Sequence, residues 1–459
     1  MRDETIPQTV LFPDLFDKPL VATFDQPHAS SDGGAILLKA AEARYRLIDG
    51  FVRCVVDDRQ PGKVRHPLAD LLAQRIYGLA CGYPDANDAE RLADDPMYKL
   101  LLGRDPIDGD SLASQPTISR FENQIERRAL WAMGRELAAS VIERHQQRLH
   151  GRARRITIDL DPTDDPTHGA QQLTFFNGHY DSWCYLPLLA FLTFNDEAEQ
   201  YLCAAILRPG NAPATRGAKH TLTHLLGLLR VTFPQARFRV RLDGGFATPA
   251  LFDFLDAEPG LDYVVAMGEN AVLTRSAESA MVDARTRSEA SGLSEHVYTE
   301  ARYAARTWSH ARRVVIKAEV VRLPGRDPRD NPRFVITNLR PSPRFVYEQV
   351  YCARGDIENR IKELHDGLQI GRTSCGRFWA NQLRVLLTAA AYVLMQELRL
   401  RAARTACARA QVTTLRERLL KLGVQVVRSV RRIVLHLPTS TPFLDDWCHI
   451  ARALGARTG

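Results

Sequence analysis

Two stretches of the chain share a pattern that constrains the fold: an alternating strand that ends in an aspartate. The first is RITIDLD, residues 155–161, with isoleucine and leucine on one face and threonine and aspartate on the other. The second is RFRVRLD, residues 237–243. If these two strands are neighbours in a sheet, the carboxylates of Asp161 and Asp243 meet at one place.

The segments around these strands predict the element order β-β-β-α-β-α-β. Apolar runs at 183–194 and 201–207 predict the second and third strands, which form an antiparallel meander with the first. Helical patterns at 219–233 and 247–256 flank strand four, and a fifth strand follows at 261–267. This is the order of a ribonuclease-H-like fold, in which strands one and four are adjacent. We therefore expect an α/β (α+β) protein with a mixed sheet.

Changes in composition divide the chain into five regions. Residues 1–150 are predicted to be a helical N-terminal region. The ribonuclease-H-like core is predicted at 151–270 and resumes with its final helices at 346–400, separated by a β-rich insertion at 271–345. A basic helical C-terminal region is predicted at 401–459.

The N-terminal region has two interpretations. Its strongest pattern, residues 114–148, predicts one long amphipathic helix that Ser114 or Thr117 caps. Near the helix start, Thr117, Ser119 and Arg120 are placed to contact phosphates. The region is therefore either a helical support or a DNA-binding domain, and both interpretations stay open.

The charge balance favours a polyanionic partner. The formal net charge is +7. Residues 302–333 contain nine basic and three acidic residues, and residues 398–432 contain ten and one. A charged run is usually a solvated face, but two such runs beside a carboxylate cluster favour nucleic acid.

Cysteines and apolar segments indicate a cytoplasmic protein. The eight cysteines include no CxxC pair, which argues against a zinc ribbon and a disulfide framework and fits a reducing compartment. The start of the sequence has early acids and prolines, so no signal peptide is expected. The longest apolar stretch, residues 385–395, is too short to span a bilayer and predicts a buried helix.

A helix at about 344–365 can supply a third carboxylate. Its residues Tyr351, Arg354, Glu358, Lys362 and His365 share one face at 3.6 residues per turn. Taken alone, this pattern favours ion pairs on a surface helix. Together with the two strand-end aspartates, it favours a glutamate that holds Mg²⁺, flanked by cations that bind phosphates. Two such ions can stabilise both oxygens of an in-line displacement at phosphorus.

The aspartates of the first strand are not equivalent. Asp161 is nearest the strand end and is the preferred metal ligand. Asp159 shares its strand face and is the fallback. Asp164 and Asp165 lie beyond Pro162 and are expected to shape the turn.

Three separated blocks resemble a known family. They are DLDPTDDPTHGAQQLTFFNGHYDSWCYLPLLAF at 159–191, RLDGGFATPALFDFL at 241–255 and YCARGDIENRIKEL at 351–364. In the same order, they resemble bacterial insertion-sequence transposases with a DDE catalytic triad, in the group with a β-rich insertion before the last catalytic residue. The segments at 112–123 and 371–387 resemble this group as well, so the resemblance covers nearly the whole chain.

The resemblance implies roles for individual residues. In the family the first catalytic aspartate lies in a D-x-T or D-D-T setting; here Pro162 occupies the second place, and Asp161 is the match. Asp243 matches the second aspartate. The family signature Y-x2-R-x3-E-x6-K falls on Tyr351, Arg354 and Glu358. His365 replaces the final lysine, so that phosphate contact is weaker, pH-dependent, or taken over by Lys362.

The resemblance also implies an activity. The enzyme is expected to cut double-stranded DNA at the inverted-repeat ends of its element and to join the 3′-hydroxyls to target DNA, using Mg²⁺ or Mn²⁺. A homodimer on DNA and a place beside the nucleoid follow from this. Relatives often excise through a DNA hairpin and hold a flipped base with an aromatic residue of the insertion. Trp308 is the candidate for that role, and a packing role for it stays equally open.

Other functions remain to be compared with this expectation. A metal-dependent nuclease of the same fold, without strand transfer, uses the same residues. A catalytically silent DNA-binding derivative is a third alternative, which the intact triad argues against. A tyrosine recombinase is excluded because no tyrosine follows Tyr392, where the late nucleophile is expected.

Overall fold

The protein folds around one mixed nine-stranded sheet with helices packed against it, as the computed structural model shows for residues 9–12 and 14–457. The expected α/β class is confirmed. The start of the sequence, where no signal peptide is expected, includes residues 1–8, which lie outside the described residues. The strands of the sheet are β1 (Arg155–Pro162), β2 (Leu188–Phe194), β3 (Tyr201–Ile206), β4 (Arg237–Leu242), β5 (Leu261–Met267), β6 (Glu295–Tyr303), β7 (Arg312–Val321), β8 (Arg329–Asp330) and β9 (Arg333–Thr337).

The predicted adjacency of strands one and four is confirmed. The strand order is β6-β7-β9-β5-β4-β1-β2-β3, and β8 pairs with β7. Strand β4 lies between β1 and β5 and is parallel to both. Strands β1, β2 and β3 form the expected antiparallel meander. Because β1 and β4 run in the same direction, their carboxyl ends lie at the same edge of the sheet.

The segment 271–345 extends this sheet. Strands β6, β7 and β9 pair antiparallel to one another, and β9 pairs with β5. A helix at Ala271–Ser291 precedes them, which the β-like interpretation of the segment did not include. The Asn270 side chain caps the helix by accepting from two backbone N–H groups. Its buried face is rich in alanine, so the apolar periodicity is weak.

The long helix predicted at 114–148 is two helices. The first spans Gln115–Gln124 and the second Arg127–Leu149. Ile125 and Glu126 leave the helical conformation between them, and the Ile125 side chain is buried. Ser114 has the extended backbone of a cap, but its hydroxyl bonds no helix N–H. Burial of Ile125 at the turn outweighs the helical pattern that continues through it.

The remaining elements surround the sheet. Besides Asp356–Lys362 and Phe378–Arg401, which are described below, the other α-helices are Ile36–Tyr45, Leu47–Cys54, Leu68–Ala80, Ala86–Arg91, Pro96–Leu101, Ala218–Thr232, Pro249–Ala257, Pro343–Phe345, Val412–Leu415 and Leu444–Ala453. Three small sheets pair Thr9–Leu11 with Leu20–Ala22, Ala29–Ser30 with Val424–Arg428 and Ile433–His436, and Asp165–Pro166 with Ser182–Tyr185 and Phe175–Asn177.

A buried helix, Phe378–Arg401, packs against β3 and the N-terminal helices. It contains the apolar run 385–395, which confirms the predicted buried helix. Among the described residues, no helix has both the length and the apolarity that a membrane span requires. Polar residues of the helix Phe378–Arg401 bind neighbouring elements: Arg399 pairs with Glu363 and Glu199, and the Tyr392 hydroxyl donates to Glu363. These bonds fix the helix that carries Glu358.

Candidate active site

Two aspartates lie at the shared edge of β1 and β4. Asp161 is the seventh residue of β1 and is buried. Asp243 directly follows β4, and its side chain accepts a hydrogen bond of 2.8 Å from the backbone N–H of Gly245. This bond caps the short 3₁₀ turn Gly244–Phe246 and fixes the aspartate at the strand end.

Arg354 connects these two aspartates. Its Nη2 lies 2.8 Å from Asp161 Oδ1 and 3.6 Å from Asp243 Oδ2. Neither i,i+4 ion pair of the surface-helix interpretation, Arg354–Glu358 or Glu358–Lys362, forms among the described residues. The arginine points into the fold, and the two carboxylates converge on one cation.

Glu358 is the predicted third carboxylate. It is exposed on the helical segment Asp356–Lys362. Burial is the main cause that raises the pKa of Asp161 to about 7, and Arg354 opposes this shift. The negative charges of Asp243 and Glu358 raise the pKa of Asp161 further, so both carboxylates lie within electrostatic reach of Asp161.

Asp159 has a different partner. It is fully buried, and both of its oxygens accept hydrogen bonds from Arg241 on β4, at 2.7 and 2.6 Å. The two residues face each other in the register of β1 and β4. A bidentate guanidinium neutralises this carboxylate and occupies both oxygens. Asp159 therefore joins the two strands, whereas Asp161 pairs with Arg354.

Asp165 is buried rather than a solvated turn residue. It begins the short strand Asp165–Pro166, and its Oδ2 accepts a hydrogen bond of 2.8 Å from the Thr373 hydroxyl. Burial raises its pKa to about 8. Asp164 beside it is half-buried. The expectation that these two aspartates shape the turn stays a prediction, with Thr373 as an additional partner.

The helix that carries Glu358 is irregular, and this changes which residues share its face. A π-helical segment at Val346–Tyr351 and a 3₁₀ segment at Cys352–Gly355 precede Asp356–Lys362, and a second π segment follows at Glu363–Gly367. The prediction of one face assumed 3.6 residues per turn throughout, and π and 3₁₀ turns break that phase.

The residues predicted to share one face of this helix therefore lie in different surroundings. Lys362 is exposed like Glu358, whereas Tyr351 is half-buried and packs on Tyr347 at 5.5 Å between ring centroids. His365 turns inward, and its Nε2 lies 3.0 Å from the Thr163 hydroxyl. Burial lowers the pKa of His365. The expected phosphate contact by His365 is thus replaced by a contact with the turn after β1.

Trp308 does not reach the carboxylates. It lies between β6 and β7, and its ring packs 5.0 Å from Phe252 and 5.2 Å from Tyr303. The neighbouring register pairs Arg313 with Thr337 and Thr337 with Val264, which places this hairpin toward the start of β5. That edge is opposite to the carboxyl ends of β1 and β4, so the structure favours the packing role.

Arg120 lies in the N-terminal region, apart from the carboxylates. It is exposed and donates to the Thr117 hydroxyl at 3.3 Å. It lines a cleft of ≈ 1550 Å³ formed by the N-terminal helices. The cleft is lined by both basic and acidic residues, including Arg128 and Glu126. A phosphate contact by Arg120 stays a prediction.

A second acidic group was missed in the sequence. Among the described residues, ligand atoms of Asp253, Asp256 and His310 lie within 4.8 Å of one another. Arg312 pairs with both aspartates at 2.7 and 2.8 Å and offsets part of their negative charge. The i,i+3 spacing of the aspartates was readable, but no local pattern connects them to His310, which lies in the β6–β7 hairpin.

Comparison with known proteins identifies the family of this chain. The sequence profile of the family described as "Transposase DDE domain group 1" matches residues 12–457. A search of curated proteins found no match. DDE transposases generally use divalent metals, which fits carboxylates that converge on a cation at a strand edge. The match covers nearly the whole chain, and the protein therefore belongs to the transposase DDE domain group 1 family, with a ribonuclease-H-like catalytic core of the insertion-sequence type.

Proposed function

We propose that Asp161, Asp243 and Glu358 hold Mg²⁺, or Mn²⁺ in its place, and that the enzyme cleaves the terminal inverted repeats of its insertion sequence and joins the 3′-hydroxyls to target DNA. The observation that carries this proposal is the convergence of two strand-end carboxylates on one cation, Arg354, with Glu358 in electrostatic reach. A two-metal mechanism and a homodimer on DNA are parts of the same proposal.

The residues at the strand edge fit a divalent metal. Mg²⁺ prefers carboxylate oxygens and usually takes one or two of them. The raised pKa of Asp161 reflects burial and negative charge that Arg354 only partly offsets, so additional positive charge is favoured there. When bound, divalent ions supply an activated attacking oxygen and stabilise the leaving oxygen at phosphorus.

The chain's own residues support this chemistry in three ways. The Asp159–Arg241 pair fixes β1 against β4, so that the two strand ends keep their spacing. The pairing of Arg399 with Glu363 fixes the helix that carries Glu358. The exposed ammonium of Lys362, one turn beyond Glu358, is placed to hold a DNA phosphate.

The test is a reaction on the DNA that flanks this gene. A plasmid carrying that DNA is incubated with the protein and Mg²⁺, and the products are mapped at nucleotide resolution. We expect cuts at inverted repeats and products in which the 3′ ends are joined to target DNA. Cuts without joined products would identify the nuclease alternative, and binding without cuts would identify the catalytically silent one.

The excision route is a finer part of the proposal. A covalently closed hairpin end runs differently from an open end on a denaturing gel. We expect closed ends in the Mg²⁺ reaction. Open ends alone would reject the hairpin route and leave cleavage and joining intact.

Lys362 and His365 are expected to behave differently when each is replaced by alanine. Lys362→Ala removes one phosphate contact, so the slope of log affinity against log salt concentration should fall by about one. His365→Ala removes the contact with Thr163 and should lower the melting temperature without changing that slope. DNA affinity measured at several salt concentrations checks both. If the slope fell for His365→Ala and not for Lys362→Ala, His365 would be the residue that contacts the phosphate.

A further inference from the structure

Four arginines meet at the edge of the sheet opposite to the candidate active site. With an asparagine and two aspartates, they line a cavity of ≈ 370 Å³, the arginine cavity. Arg155 and Arg237 are the first residues of β1 and β4, Arg154 precedes β1, and Arg239 follows on β4. The strand-end aspartates lie six residues further along the same two strands, which is roughly 20 Å at about 3.3 Å per residue. The arginine cavity is therefore separate from the carboxylates.

The backbone that carries these arginines is held in place. The Asn195 side chain accepts hydrogen bonds from the backbone N–H groups of Arg154 at 2.8 Å and Arg155 at 3.4 Å. The backbone N–H of Arg237 donates to the carbonyl of Arg154 at 2.9 Å. The guanidinium groups therefore extend from fixed positions, so a bound ligand has to order only their side chains.

The strand register brings positive charges together in this cavity. Arg155 lies directly across from Arg237 in the parallel pair of β1 and β4. Arg239 is two residues beyond Arg237, so both side chains lie on the same face of the sheet. Burial lowers the pKa of Arg239, and the positive charge of Arg155 lowers it further. Because like charges repel one another, this grouping disfavours the folded chain unless an anion offsets it.

The acids at this edge offset only part of the positive charge. Asp196 pairs with Arg155, and Asp262 approaches Arg239 at 3.5 Å. The other two arginines of the cavity form no ion pair with any residue that the structure describes. The remaining acids of the adjoining turns already have basic partners: Glu197 with Arg148, Glu199 with Arg399, and Glu258 with Arg230. Two guanidinium charges are therefore left without a carboxylate.

Arg239 is the arginine of the cavity that most requires an acceptor. Its side chain is only 12% exposed, and its Nε has no hydrogen-bond partner in the part of the chain that the structure describes. The distance of 3.5 Å to Asp262 exceeds the roughly 2.7–2.9 Å of a charge-assisted hydrogen bond. Burying a charged group is costly unless it is paired and hydrogen-bonded. An oxyanion in the cavity would supply acceptors for this guanidinium.

We propose that the arginine cavity is an anion site that binds a phosphate group. Guanidinium groups bind phosphate oxygens through paired hydrogen bonds. A terminal phosphate or two adjacent phosphodiesters carry about two negative charges, which matches the two charges left without a carboxylate. A DNA backbone and a free polyphosphate both present this chemistry. The inference does not depend on the proposed cleavage and joining, because the cavity lies at the opposite edge of the sheet from the carboxylates.

The test is calorimetric titration with inorganic pyrophosphate at constant ionic strength, in metal-free buffer so that no metal bridges the ligand to the carboxylates. We expect the wild-type protein to bind one pyrophosphate saturably. Arg154→Gln combined with Arg237→Gln should weaken this binding by about tenfold or more, because each charge-assisted hydrogen bond contributes on that scale. Without anion, this double variant should melt at or above the wild-type temperature, since both arginines are exposed and their removal relieves repulsion.

A matched control carries Arg431→Gln and Arg432→Gln, which remove two exposed arginines from the turn between Val424–Arg428 and Ile433–His436. It loses the same net charge and should bind pyrophosphate like the wild type. Absence of saturable binding to the wild-type protein, or wild-type affinity in the Arg154→Gln, Arg237→Gln variant, would overturn the proposal. So would an equal loss of affinity in the control, because a general effect of net charge would then explain the result.

A competition experiment distinguishes the two sources of phosphate. Binding of a duplex of twenty base pairs is measured with and without saturating pyrophosphate at one ionic strength. If a DNA backbone fills the cavity, pyrophosphate weakens DNA binding by the wild-type protein and not by the double variant. If the cavity takes a free polyphosphate, DNA binding by both proteins stays unchanged while the wild type still binds pyrophosphate. A protein that binds pyrophosphate in this cavity but never cuts DNA would reject the proposed function and keep the anion site.

Discussion

Replacing Glu358 with glutamine is expected to abolish DNA cleavage and leave binding to transposon ends intact. Glutamine keeps the size of the side chain but removes the charge that a divalent metal requires. Because metal stabilisation of the reacting oxygens is worth several kcal/mol, the rate should fall on the order of a thousand-fold or more. Asp161→Asn and Asp243→Asn should have the same effect, since their carboxylates meet at the same cation.

DNA binding should survive these substitutions for an electrostatic reason. The three carboxylates are negative groups that face a phosphate backbone, so removing one charge does not weaken the attraction. Single-turnover cleavage and DNA affinity are measured on the same preparations, with Asp366→Asn, an exposed acid on the adjoining helical turn, as the matched control. Cleavage at the wild-type rate by any one of the three variants would remove that residue from the triad.

Replacing Asp159 with alanine is expected to unfold the protein more easily rather than to act on the chemistry. Asp159 is fully buried and holds Arg241 with both oxygens, so its loss leaves an uncompensated guanidinium inside the sheet. Breaking a buried ion pair in this way costs about 3–5 kcal/mol of folding free energy. Denaturant unfolding measures this loss.

Two further variants make the interpretation of Asp159 specific. Asp159→Leu combined with Arg241→Met replaces the pair with apolar groups and should recover most of the lost stability. Asp161→Asn should cost little stability at pH 8, because burial already raises the pKa of Asp161 to about 7 and disfavours its charge in the fold. If Asp159→Ala were as stable as the wild type and inactive, Asp159 would be the metal ligand after all.

The adjacency of β1 and β4, and with it the edge where the two aspartates meet, was predictable because the strands and their order along the chain follow from local patterns. Alternation identified β1, and the element order made β4 its neighbour. The same alternation placed Asp159 and Asp161 on one face but could not distinguish them. Their difference depends on Arg241, which lies across from Asp159 only once the register of β1 and β4 is fixed.

The helix that carries Glu358 departs from the predicted regular spacing of 3.6 residues per turn. Spacing placed His365 on the same face as Glu358, but the π segment Glu363–Gly367 turns His365 toward Thr163. The residue types of this segment do not predict a π turn. It forms where Glu363 meets Arg399 from the buried helix, a contact between residues far apart in the chain.

Long-range contacts also determine where Trp308 and the hairpin at 175–185 lie in the structure. Trp308 lies in the segment that resemblance indicated, yet the pairing of β9 with β5 and β7 carries it to the opposite edge. The apolar run 183–194 predicts one long strand that begins at Trp183, but in the structure the strand breaks before Leu188 and leaves Trp183 in the separate strand Ser182–Tyr185. Exposure of an aromatic residue in a strand cannot be read from alternation alone.

The most direct test of the account is the position of a bound metal. Crystals of the protein soaked with Mn²⁺ would locate the ion by its anomalous scattering. We predict a peak held by Asp161 and Asp243, with the Arg354 guanidinium displaced from between them. A strongest peak at Asp253, Asp256 and His310, or no peak at Asp161 and Asp243 at saturating Mn²⁺, would contradict the assignment of the catalytic site.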